Sequence, residues 1–116
     1  MVNWDLELKK LLEEEKIEGV YIFDRDSLLS ILNILNTEEV MFIFEENNVD
    51  ILVQDVETQM KHVIKVLFEV FAPVKERKYM KINLEELKEK INNLTPTEAI
   101  VFIVKKNKID LGALAR

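Results

Sequence analysis

Two carboxylates one residue apart, Asp24 and Asp26 of "FDRDS", follow a run of strand-forming residues. Such a pair can hold Mg2+ when substrate phosphates supply the remaining ligands. Arg25 stands between them, however, and Asp26 or Ser27 is placed to cap a following helix, which accounts for the same residues without a metal. The chain has one histidine, His62, and no cysteine, so a structural zinc centre of Cys and His ligands cannot form. His62 reads as a helix-surface or partly buried side chain. A nucleophile needs a base within hydrogen-bond reach, and no serine here sits in an elbow-like setting. Gly19 and Gly112 are the only glycines, too few for a phosphate-cradling loop. The residues therefore assign no catalytic, cofactor-binding or metal-binding role, and the expectation is a protein that is not an enzyme.

A second kind of chemistry lies in charge. "TEEVMFIFEENNVDI" (Thr37 to Ile51) returns as "TEAIVFIVKKNKIDL" (Thr97 to Leu111). Asn47-Asn48 and the matching Asn107 mark tight turns, and asparagine tolerates the positive φ that two-residue hairpin turns use. Asp50 and Asp110 match as well and are expected to serve turn geometry. The first turn carries Glu45 and Glu46, and the second carries Lys105, Lys106 and Lys108. These five are the candidate interaction residues. An acidic tip and a basic tip at related places could steer one copy, or a partner protein, onto another.

The composition sets bounds on partners. The chain has 116 residues, enough for one domain with a buried core, and carries a net charge of −6. An acidic balance speaks against nonspecific nucleic-acid binding, which needs clustered Lys and Arg. The apolar share of 48% and charged share of 33% belong to a globular chain rather than a disordered one. No apolar run approaches the roughly 18 residues that span a bilayer. "MVNWDLELKKLLEEEK" has no apolar signal-peptide core, so the expected location is the cytoplasm.

The elements that must position these residues follow from periodicity. Trp4 to Lys16 reads as an amphipathic helix, with a turn expected at Gly19. Val20–Asp24 is a strand and Asp26–Leu35 a helix. Val40–Gln54 is a hairpin. Asp55 to Pro73 has Val56, Met60, Val63, Ile64, Leu67, Phe68 and Phe71 at helical period, which predicts a helix over 55–72; a β reading of "HVIKVLFEVF" stays open beside it. Arg77–Asn83 is a strand and Leu84–Asn93 a helix. Thr95-Pro96-Thr97-Glu98 looks like a capping box, yet "AIVFIV" forms strands, and the match to "VMFIF" decides for a strand over Ala99–Val104. With a one-residue shift, "VYIFDRDSLLSILNIL" also lines up with "YMKINLEELKEKINNL".

The chain thus reads as one α+β domain over 1–116. It comprises a tandem β-α-β-β repeat, with halves at about 18–54 and 77–112 linked by the helix 55–72. The expected architecture is a mostly antiparallel sheet with helices on one face, plus the N-terminal and central helices.

The stretches "FDRDSLLSILNILNTEEVMFIFEENNVDILVQDVE" and "YMKINLEELKEKINNLTPTEAIVFIVKKNKIDL" carry a resemblance. A doubled strand-helix-strand-strand unit of this size resembles a single domain of a sliding clamp, the DNA polymerase processivity factor of archaeal and eukaryotic replication. The resemblance implies a clamp-type fold. Clamps close a ring from several such domains and turn basic helices towards DNA, whereas Leu28 to Leu35 carry no basic residue. "DILVQDVETQMKHVIKVL" is similar to a helix region in the small kinase-binding subunit of the tRNA-modifying KEOPS complex. The function expected is a non-catalytic protein–protein interaction or assembly module whose partner is another protein or the chain itself, as a homo-oligomer. Alternatives are a clamp-like accessory factor in nucleic-acid processing and a small-molecule-binding regulatory domain.

Overall fold

The computed structural model describes residue 10 and residues 16–94 and 99–114. The expected helix Trp4 to Lys16 lies almost wholly outside them. Among residues 16–94 and 99–114, eight strands and two helices follow in the order β1 (Gly19–Asp24), α1 (Arg25–Ile34), β2 (Glu39–Phe44), β3 (Val49–Gln54), β4 (Lys61–Ile64), β5 (Phe68–Ala72), β6 (Lys78–Asn83), α2 (Leu84–Asn93), β7 (Ala99–Val104) and β8 (Ile109–Leu114). The α+β class holds. The strands form two four-stranded sheets rather than one, in the orders β5-β1-β7-β8 and β4-β3-β2-β6, and every pairing is antiparallel.

The doubled sequence is a doubled structure. Hairpin β7–β8 follows hairpin β2–β3 at an offset of sixty residues, whereas β6–α2 follows β1–α1 at fifty-nine. The caps match: Asp24 accepts the Ser27 N–H at 2.9 Å, and Asn83 accepts the Glu86 N–H at 3.1 Å. The turns match too. Glu45 N–H donates to Asn48 O, and Lys105 N–H to Lys108 O, each at 2.8 Å. Yet the halves do not stand apart. β1 of the first half pairs with β7 of the second, and β6 of the second pairs with β2 of the first. The registers correspond: Gly19 faces Val104 as Lys78 faces Phe44. Each sheet is therefore built from both halves.

One core serves both sheets and both helices. Phe23, Phe42, Phe44 and Phe102 meet with ring centroids 4.9–6.2 Å apart; Phe42 and Phe44 stack, and the other pairs make the tilted or edge contacts that suit their quadrupoles. Leu28 and Leu32 of α1, and Leu84, Leu87 and Ile91 of α2, enter the same core. α1 is less completely buried than its sequence suggests, since Ile34 is 78% exposed. Strand patterns report which faces are covered. β2 alternates fully buried positions with exposed or half-buried ones, as one covered face requires. "VYIF" of β1 and "AIV" of β7 are buried without alternation, because Val20, Ile22, Ala99 and Val101 form a second apolar cluster on the opposite face.

The central helix predicted over 55–72 is absent: the segment is a turn followed by β4 and β5. Asp55 does cap, as a helix start would, but it caps a single turn. Its carboxylate accepts the N–H groups of Glu57 and Thr58 at 2.8 and 2.9 Å. Gln59 then takes a φ of 62°, which no helix continues, and Asp55 N–H reaches Met60 O at 2.9 Å to close the β3–β4 hairpin. Four positions of the supposed buried stripe lie exposed: Val56 at 41%, Met60 at 59%, Val63 at 55% and Leu67 at 82%. β-Branched and aromatic residues in "HVI" and "FEVF" decided for strand. His62 accordingly lies on β4, opposite Val53, and not on a helix. The likeness of this stretch to a helical subunit region falls with the helix.

Candidate interaction surface

Both charged turns lie at one end of the molecule. Phe44, at the edge of the first turn, pairs with Lys78; Val104, at the edge of the second, pairs with Gly19. An ion pair of 2.8 Å between Lys78 and Glu18 ties these two strand starts together. Tyr21 anchors the first turn from inside. Its hydroxyl donates to the Glu45 carbonyl and accepts the Val74 N–H at 3.1 Å. Burial raises the Tyr21 pKa above its ordinary 10.0, outweighing the Val74 N–H that acts the other way.

The expected positive φ at Asn47-Asn48 does not occur. Among the described residues only Lys16 and Gln59 depart to positive φ. The bend before β1 accordingly lies at Lys16, and Gly19 has already entered the strand. Glycine is required there for space: a Cβ would lie 2.5 Å from Val74 Cγ1 and 3.2 Å from Ala72 O.

The tip charges are partly neutralised. Glu45 pairs with Arg77 at 3.4 Å. Asp50 pairs with Lys65, which with Asn48 holds the Asp50 carboxyl below the usual carboxylate range. In the second turn Asp110 receives both Lys105 at 3.1 Å and Lys108 at 3.8 Å. The matched aspartates thus do matched work, each holding a lysine beside its turn. Glu46 and Lys106 occupy the same corner of the two turns, are both exposed, and have no ion pair among the described residues. The contrast between the two sequence copies narrows to this one pair.

Lysines outside the turns join them. A groove of about 360 Å3 runs between Lys78–Lys81 of β6 and the turn Lys105–Ile109. The sequence alone does not single out Lys78, Tyr79 and Lys81, because nothing local tells that β6 lies beside the second turn. Elsewhere Asp24 and Ser27 border a cavity of about 420 Å3 with Leu67 and Phe68. The Asp24 carboxylate there is occupied by the Ser27 N–H and hydroxyl, as a cap. No group of three metal-ligating side chains gathers among the described residues.

Solved structures place this architecture. The chain superposes on the DNA polymerase III subunit beta from Pseudomonas aeruginosa with a TM-score of 0.67 over 86% of its length, at 15% identity. The fold is that of one sliding-clamp domain. Two further structures of the DNA polymerase sliding clamp from Pseudomonas aeruginosa, one of them with ligand, match at TM-scores of 0.66 and identities of 16% and 17%. The chain spans 28% of the length of each of these clamps. No protein-family model matches it, and no curated protein sequence does.

Proposed function

We propose that this clamp-like domain is a non-catalytic assembly module that binds another protein or a second copy of itself. One observation carries the reading: the oppositely charged corners Glu46 and Lys106 share one end of the molecule. Two copies meeting end to end about a two-fold axis set each acidic turn against the other's basic turn, and such reciprocity is what an isologous contact requires. The charges steer and set register more than they bind, since exposed pairs contribute only about 0–1 kcal/mol. Light scattering over a concentration series tests it. The double change Lys105→Glu and Lys106→Glu is expected to lower the weight-average mass. An unchanged mass at every concentration would remove these turns from the function.

A second reading, a clamp-like accessory in nucleic-acid processing, draws on the fold shared with DNA polymerase clamps. A gel shift with duplex DNA at low salt tests it, and absence of retardation there counts against it.

A further inference from the structure

Among the described residues β6 is the last strand of its sheet and pairs with β2 alone. Leu84 N–H donates to Glu38 O at 2.9 Å, which makes Leu84 and Glu38 a hydrogen-bonded pair of that ladder. Because such pairs alternate along an antiparallel ladder, Ile82, Met80 and Lys78 bond to β2, and the N–H and C=O groups of Tyr79 and Lys81 point the other way. Among the described residues no strand lies along the outer edge of β6. An open edge of unpaired backbone groups is a template for an added strand.

Its surroundings select the kind of strand. Five lysines border the groove beside β6: Lys78, Lys81, Lys105, Lys106 and Lys108. Among the described residues three carboxylates pair with them, Glu18 at 2.8 Å from Lys78, Glu39 at 3.7 Å from Lys81 and the shared Asp110, while Lys106 stands exposed without an ion pair, in a molecule whose net charge is −6. Tyr79, 55% exposed, offers one apolar surface among them.

We propose that the open edge of β6 takes up an extended acidic segment of a partner protein as an additional antiparallel or parallel strand, its carboxylates set against Lys81 and Lys106. This rests on the assembly reading above and names the chemistry of the partner. Backbone groups at strand spacing favour a peptide over a nucleic acid, whose phosphates need the lysines but not the edge.

A labelled decapeptide alternating Glu and Val, read by fluorescence anisotropy on the full chain, is the direct probe. A second peptide of the same sequence and charge, N-methylated at every residue, cannot donate along the ladder. The expected result is at least a tenfold preference for the first peptide, and about a tenfold loss with Lys81→Glu plus Lys106→Glu. Backbone amide exchange supplies a reading that needs no substitution. Adding the Glu-Val peptide is expected to protect the Tyr79 or Lys81 amides and leave Met80 and Ile82 as they were. Four results overturn the proposal: no binding; equal binding of both peptides; tighter binding of a single-stranded DNA dodecamer; or protection of Tyr79 and Lys81 that rises with protein concentration alone, which makes a second copy the occupant. If the peptide fails while Lys105→Glu with Lys106→Glu still lowers the scattering mass, the assembly reading survives and this one falls.

Discussion

At the scale of single residues, the structure rests on a few positions whose chemistry allows no exchange. Gly19 lies under Val74, so Gly19→Ala forces a shift of packed atoms and is expected to cost about 1–3 kcal/mol in urea denaturation. Gly112 meets nothing within 4 Å where its Cβ would stand, and Gly112→Ala is expected to have no comparable effect. Tyr21→Phe leaves the buried Val74 N–H without its partner, at about 1–3 kcal/mol. The same residue sets a pH response. The folded pKa lies above 10.0, so the unfolded chain ionises first as pH rises. The contribution of neutral Tyr21 is complete below pH 10.0 and is lost as pH climbs past it. Denaturation at stepped alkaline pH is expected to show a shallower decline for Tyr21→Phe than for the parent. None of these roles was legible in the sequence. Gly19 reads as a turn by type, and only Val74, fifty-five positions on, shows why it is a glycine.

Elements were legible where local preference and burial agree. β1, α1, β2, β3, β6, α2 and β7 stand close to where period and composition put them. Ala99–Val104 is the instructive case, since "AIVFIV" overrode an apparent capping box and the strand is buried almost throughout. The segment 55–72 failed because its apolar residues satisfy a helical period while their β-branched and aromatic types favour strand. Length gave no arbitration, as the turn at Asp55–Met60 carries neither Gly nor Pro. Gln59 offers a clean test of that correction. At its φ of 62°, Gln59→Gly relieves strain and is expected to stabilise by about 0.5–1 kcal/mol, measured by thermal melting. In a helix the same change would destabilise by a similar amount. The candidate surface was half visible at this scale. The turns and their charges are local features, whereas the partnership of the second turn with β6 arises only from the fold.

For the whole molecule, the decisive fact is that each half lends its first strand to the other half's sheet. The sequence repeat pointed to two equal units but not to this exchange, because a repeat specifies what recurs and not what pairs. A fragment of residues 18–54 is therefore expected to show no cooperative transition in far-UV circular dichroism, since β1 would lack both β5 and β7. The exchange also sets the order of events during synthesis. β1 leaves the ribosome before its partners, so Gly19 must wait for Val104, and Phe23 for Phe68 and Ile100. Until then "VYIF" stays uncovered, an apolar strand without neighbours, which is the kind of species that aggregates or recruits a chaperone. Contacts so distant along the chain also slow folding, because loop closure must come before any pairing repays it. The interlocked halves that make the finished domain indivisible thus leave its nascent chain exposed until β7 has been made.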